Sequence, residues 1–262
     1  MFSRLRPLLL VAILGTALLI RAPARAGEIS VGVGFSIAPY ALREQNAGLE
    51  VDLIRAAFRA AGVRARFVYL PNLRLPMALA ERDVDCLATS KGYDMAERIG
   101  RPVFYSAPTV TFRNHAVTLA DRDLYIHSIG DLAGYLTLGF QDAASYLGPE
   151  FAAMTRGNDL YSELCDQSLQ VRMLFSGRVD AVISEKRVFL YWRNRLRTSP
   201  AGRAVDLDQA VAFHPIFPAQ NRRVVFVGKS LRDLFDKGMA AIRKSGSFGR
   251  IVRAYDRAEF IK

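Results

Sequence analysis

Apolar positions along the chain switch repeatedly between a period of two and a period of 3.6. Ile29–Phe35 alternates as a strand and is ended by Pro39-Tyr40. Gly48 then precedes LEVDLIRAAFRAAG, in which Leu53, Ile54, Ala57, Phe58 and Ala61 share one helical face and Gly62 marks the stop. Val63–Leu70 alternates again, with Val63, Ala65, Phe67 and Tyr69 to one side. Pro71-Asn72 opens a further helix to about Arg82, with Asn72 as its expected cap, and Val84–Ala88 is the next strand. Strand, helix, strand, helix, strand predicts a parallel sheet with right-handed crossovers.

The pattern restarts further on. Tyr135–Phe140 reads as a strand, ASYLGPEFAAM (144–154) as a helix with Pro149 in its first turn, and Leu160–Leu164 as a short strand. Asp166–Ser176 reads as a helix stopped by Gly177, Val179–Ile183 as a strand and Glu185–Arg195 as an amphipathic helix. No short period repeats, so the pattern predicts two similar lobes rather than a solenoid. After the polar break RTSPAGR comes the apolar run VVFVGKS. Ser230 and Asp233 then form a capping pattern for a helix carrying Leu231, Leu234, Phe235 and Met239, and a final helix spans Phe248–Tyr255. This tail is too short for a third domain. It is expected to dock on the first lobe, so that the chain crosses between lobes twice. The predicted division is a leader at 1–26, the first lobe at 27–115, the second at 116–208 and a return segment at 209–262.

The leader changes the charge picture. MFSRLR is basic, Pro7–Ile20 is apolar and APARA supplies small residues, the layout of a secretory signal with cleavage after Ala26. The apolar run is shorter than the ~20 residues a spanning helix needs. Losing Arg4, Arg6, Arg21 and Arg25 lowers the formal charge from +11 to +7. The remaining basic residues are scattered, with only short groups such as Arg193, Arg195 and Arg197, and no nucleic-acid motif accompanies them. Small anions, not nucleic acid, are the expected partners of this charge.

Candidate catalytic chemistry is sparse. His115, His127 and His214 show no metal spacing, and there is no Gly-x-Ser-x-Gly or phosphate loop. No cofactor is implied. Of the two cysteines, Cys86 lies inside an expected strand and Cys165 at an expected helix start. Burial of Cys86 as a small apolar group is the favoured reading over a bridge between them. One stretch does suggest a ligand. VDCLATSKG runs from an apolar strand into hydroxyls and a glycine, and ERIGRPVFYSAP follows it. Strand ends of open α/β sheets are where such folds keep ligands.

Five segments, in order and at similar spacing, resemble the bacterial extracellular solute-binding proteins of family 3, the periplasmic receptors of polar amino acid ABC importers. They are APY (38–40), GLEVDL (48–53), ALAERDVDCLATS (78–90), ERIGRPVFYSAP (97–108) and SGRVDAVIS (176–184). The likeness spans about residues 28–256. It departs at Arg82, where glycine is usual, at the extra Tyr105, and at GFQDAAS (139–145), which replaces a Gly-Thr pair. The resemblance implies an α/β, two-lobed type II periplasmic-binding-protein fold. Each lobe would be a mainly parallel sheet flanked by helices, joined by two crossover hinges, and the lobes would close over the ligand as a trap.

It also implies that Arg98 holds an α-carboxylate and that Glu185, where aspartate is more usual, holds the α-ammonium. A guanidinium suits the first role because it offers two parallel hydrogen bonds to a carboxylate. The expected ligand set adds Arg74 as a second anchor and Thr89 and Ser90 at the strand end. Phe35 and Tyr40 would be apolar walls, and Gln141, Asp142 and Ser145 would serve from the second lobe. The implied protein is a monomeric periplasmic receptor for an amino acid or derivative, working with an ABC permease. Two alternatives on the same fold are a dehydratase with Glu185 as general acid and a ligand receptor for a sensor.

Overall fold

The computed structural model describes residues 27–34, 37–90 and 94–256. The leader at 1–26 and Phe35 lie outside the described residues. Two sheets organise the chain. The first contains β1 (Glu28–Gly34), β2 (Arg64–Leu70), β3 (Cys86–Ser90), β4 (Phe104–Tyr105), β5 (Thr111–Phe112) and, from the far end of the chain, β11 (Gln220–Phe226). The second contains β6 (Asn114–Leu119), β7 (Thr137–Phe140), β8 (Tyr161–Leu164), β9 (Ala181–Glu185) and β10 (Val211–His214). Strand orders are β2-β1-β3-β11-β4, with β5 also on β11, and β10-β6-β9-β7-β8. The fold is therefore α/β, two-lobed and of type II.

Each sheet is mixed rather than mainly parallel. β1 pairs parallel with β2 and β3, and β7 pairs parallel with β8 and β9, but β11, β6 and β10 pair antiparallel with their neighbours. The cause is the double crossing. β1 and β3 run toward the other lobe, whereas β11 returns from it and enters the sheet in the opposite sense. Because β10 pairs with β6, the strand at 211–214 belongs to the second sheet, and the chain passes between sheets at 113 and 215–219.

Helices cover both faces of each sheet. α1 (Leu49–Ala60), α8 (Lys229–Lys244) and α9 (Ser247–Tyr255) bury one face of the first sheet around Phe58, Phe226 and Phe235. α2 (Leu75–Ala80) and α3 (Met95–Ile99) cover the other around Leu79 and Leu87. In the second lobe α4 (Ala143–Tyr146) and α5 (Pro149–Thr155) pack over Phe151, while α6 (Gln167–Phe175) and α7 (Lys186–Arg197) pack over Leu174 and Phe189. Val188 and Tyr191 of α7 reach across into the first lobe's core.

Three helices depart from the expected pattern. Asn72 caps nothing: residues Asn72–Arg74 form a 3-10 turn and α2 begins at Leu75, with Pro76 in its first turn, where a missing N–H costs no helical bond. The helix expected over 144–154 splits at Gly148, whose φ of 101° lies outside helical geometry. Ser230 makes no cap to α8, which starts at Lys229, and Asp233 instead takes Lys229 Nζ at 2.6 Å.

One glycine is set by contact. A Cβ on Gly238 of α8 would lie 2.0 Å from the carbonyl oxygen of Ala57 on α1. Gly238→Ala should therefore destabilise the protein by about 1–3 kcal/mol as overpacking, although alanine favours helix by about 1 kcal/mol. Urea midpoints measure it, and a stabilised variant would contradict the close approach of α1 and α8.

Candidate functional site

Strand ends from both sheets meet at one cleft. Gly34 and Thr89 stand at the ends of β1 and β3, Phe140 ends β7, Glu185 ends β9, and Asn114 and Arg222 lie where β6 and β11 set out. These residues line a cleft of about 730 Å³ between the lobes. The first lobe adds Ile37, Asn72, Leu73, Met95, Arg98 and Phe112, and the second adds Gln141, Asp142, Tyr146, Glu163, Cys165 and Asp166.

Of the ten residues expected to bind, the cleft brings together Thr89, Arg98, Gln141, Asp142 and Glu185. Arg98 is carried by α3. Asp94 fixes the start of that short helix by accepting from the amides of Ala96 and Glu97 at 3.0 and 3.1 Å, and Gly100 ends it at φ 68°. Arg98 thus lines the same cleft as Thr89 of β3. Ser90 continues β3 opposite Arg222 in register, and only its backbone is described.

The other expected positions fall elsewhere. Tyr40 is fully buried in the first lobe's core, with its ring 4.3 Å from that of Phe112. It stands behind Glu185 and Arg187 and does not line the cleft, and its hydroxyl closes no regular hydrogen bond among the described residues. Arg74 is the third residue of the 3-10 turn. At three residues per turn it points away from its neighbours Asn72 and Leu73 and lines a separate hollow of about 40 Å³ with Glu81 and Asp83. Ser145 is exposed on α4 outside the cleft, where Tyr146 takes its place.

Glu185 is 7% exposed and caps α7, accepting from the amides of Arg187 at 2.7 Å and Val188 at 3.2 Å. Burial pushes its pKa up, and those amides and the Arg187 charge only partly offset this. The folded protein therefore holds this proton more tightly than the unfolded chain. Its contribution to stability falls as pH rises from the ordinary glutamate range through the raised folded value, and stays lost above. Glu185→Gln removes that dependence. The stability of wild type relative to the variant, from urea midpoints between about pH 4 and about pH 8, should fall with pH. A constant difference would contradict the raised pKa.

The junction of β7 and α4 carries backbone amides of the kind that can meet an anion. They are occupied. The Glu163 carboxylate accepts from the amides of Asp142 at 2.6 Å and Ala144 at 2.8 Å, and from the Tyr161 hydroxyl at 2.8 Å. Gly139 permits this, because a Cβ there would lie 2.4 Å from the Tyr161 oxygen. Asp166 likewise caps α6 through Ser168 and Leu169, and its pKa is lowered by those bonds despite partial burial.

Sequence reasoning missed Glu163, Arg222 and Cys165 as cleft residues. Cys165 is exposed and Cys86 buried, and both are free thiols. The only sequence signal for Glu163 was its place near a strand end. His214 is held by Thr118 and the Ile126 carbonyl, and no metal-type cluster occurs among the described residues.

A family model, bacterial extracellular solute-binding proteins, family 3, matches residues 29–257. The chain belongs to this family. Solved structures share the fold of this family 3 protein. One is a histidine kinase sensor domain with similarity to periplasmic binding proteins, 21% identical, covering 88% of this chain and 96% of its own, with a TM-score of 0.68. A second is an ancestral arginine-binding protein bound to arginine, 21% identical, covering 87% and 98%, with a TM-score of 0.66. A third is an amino acid ABC transporter substrate-binding protein from Streptococcus pneumoniae bound to L-arginine, 20% identical, covering 90% and 97%, with a TM-score of 0.64. A search of curated protein sequences matched none.

Proposed function

We propose that this solute-binding protein works in the periplasm, captures a small carboxylate-bearing solute, an amino acid or derivative, and presents it to an ABC importer. The observation that carries the reading is the cleft itself, with Arg98 on one wall and Glu185 on the other. Arg98 meets the carboxylate, with Thr89 and Ser90 beside it, and Glu185 with Gln141 and Asp142 grips the solute from the second lobe. A solute touching both walls binds the closed state better than the open one, and that difference alone shifts the population toward closure. Residues 1–26 direct export and are removed near Ala26, and the mature protein acts as a monomer.

The arginine complexes among the similar structures support amino-acid capture in general. The sensor domain among them supports a variant of the same reading, in which the closed form is read by a signalling partner instead of a permease. A thermal-shift screen of amino acids, keto-acids and di-acids tests the proposal. A bound solute at about 100 times its Kd adds ~2.7 kcal/mol, a rise of a few degrees. Silence across that panel would overturn it.

The raised pKa of Glu185 is the one observation that favours a dehydratase. Its Oε2 is already engaged by two backbone amides as the cap of α7, a structural use that accounts for its placement without catalysis, so binding is preferred. Product accumulation that Glu185→Gln abolishes would reverse that preference.

A further inference from the structure

Arg222 is the most constrained cation of the cleft. Its side chain is 9% exposed, its Nε donates to Glu50 Oε2 at 2.6 Å, and its Cζ lies 4.9 Å from the centre of the Phe112 ring. Glu50 is itself 1% exposed and fixed through Oε1, which accepts from Thr109 at 2.8 Å. The guanidinium is therefore locked from one edge and one face. Among the described residues no acceptor meets its Nη1 or Nη2. The residue lines the cleft beside Thr89 and Phe112, on the same wall as Arg98.

A planar guanidinium fixed by Glu50 on one edge and by Phe112 on one face, and lining the cleft, is pre-set to offer its other edge to an acidic group of a solute. We infer that Arg222 is a second anion anchor and that the solute carries two acidic groups, one on Arg98 and one on Arg222. This inference rests on the reading of the cleft given under Proposed function. The acids of the second lobe do not oppose it as strongly as their number suggests. Three of the four, Glu163, Asp166 and Glu185, each hold two backbone amides at a helix start, which offset their charge, and only Asp142 makes no such cap. Dicarboxylic amino acids and plain di-acids share the required chemistry, and an ammonium facing Glu185 separates the two.

The test is calorimetric titration of the exported full chain, unfolded and refolded to strip carried-over solute. Glutamate is compared with glutamine, aspartate with asparagine, and succinate with its monoamide. Each di-acid should bind about tenfold or more tightly than its monoamide, the value of one charge-assisted hydrogen bond. Arg222→Lys keeps a cation facing Glu50 but cannot offer a planar edge to the solute at the same time. The paired change Glu50→Gln with Arg222→Gln removes both buried charges together and so guards against misfolding. Both variants should erase the di-acid advantage. Equal binding of di-acid and monoamide by the wild type, which needs no variant, overturns this inference alone, as does an advantage that survives in either folded variant. If no solute binds, or if Arg98→Ala leaves binding intact, the underlying reading falls as well.

Discussion

Arg98→Ala is expected to weaken solute binding by about two to four orders of magnitude, the combined value of two charge-assisted hydrogen bonds to one carboxylate. Fold stability should change little, since Arg98 is exposed on the short helix α3 and contributes nothing to the core. Affinity and stability therefore separate in this variant. Calorimetry gives the first and urea unfolding the second. Arg98→Lys should recover part of the loss, because an ammonium supplies charge but not the paired geometry. Retained affinity in Arg98→Ala would remove the central anchor of the proposed site.

The largest stability effect is expected at Glu50. Glu50→Ala leaves Arg222 buried and charged without its carboxylate, which should cost about 3–5 kcal/mol. The Thr109 hydroxyl also loses its acceptor. Replacing both charges, Glu50→Gln with Arg222→Gln, should be much milder, because no isolated charge remains buried. Urea unfolding of the two variants at neutral pH distinguishes them. Equal losses would mean that packing, and not the ion pair, holds α1 against β5 and β11.

That pair also marks where the sequence stops being readable. Glu50 and Arg222 are 172 residues apart, and nothing local marks either as a partner. Each looks like an ordinary charged residue at a helix or strand start. By contrast, Leu53, Ile54, Ala57 and Phe58 announced the buried face of α1 through spacing alone, and Val31 and Val33 did so for β1. Periodicity reports which face is buried, so it located β1, β2, β3, β7, β8, β9 and the longer helices, but it gave no strand at β4, β5, β6 or β10 and no helix at α3. It reports strand direction poorly, and the antiparallel sense of β11 follows only from the route of the chain.

Site residues divide along the same line. Arg98, Thr89 and Glu185 lie at strand ends or in recognisable segments, and the fold carries them to one cleft. Arg74 was misplaced because a 3-10 turn advances by 120° per residue instead of the 100° expected of a helix. Tyr40 was misplaced because an aromatic beside a turn suits a core as well as a pocket wall. Glu163 occupies amides that the sequence alone would leave open, since the strand that carries it sits next to β7 only through tertiary pairing.

Cys165 offers the most direct test of the whole account. It lies in the cleft and is exposed, whereas the other cysteine of the chain, Cys86, is buried. Alkylation by a thiol reagent therefore reports on the cleft alone. A carboxylate-bearing solute at about 100 times its Kd leaves ~1% of the protein unbound, so the Cys165 rate should drop about tenfold or more, and Arg98→Ala should abolish that protection. A solute that stabilises the protein yet leaves the Cys165 rate unchanged would place binding outside the cleft and contradict the account.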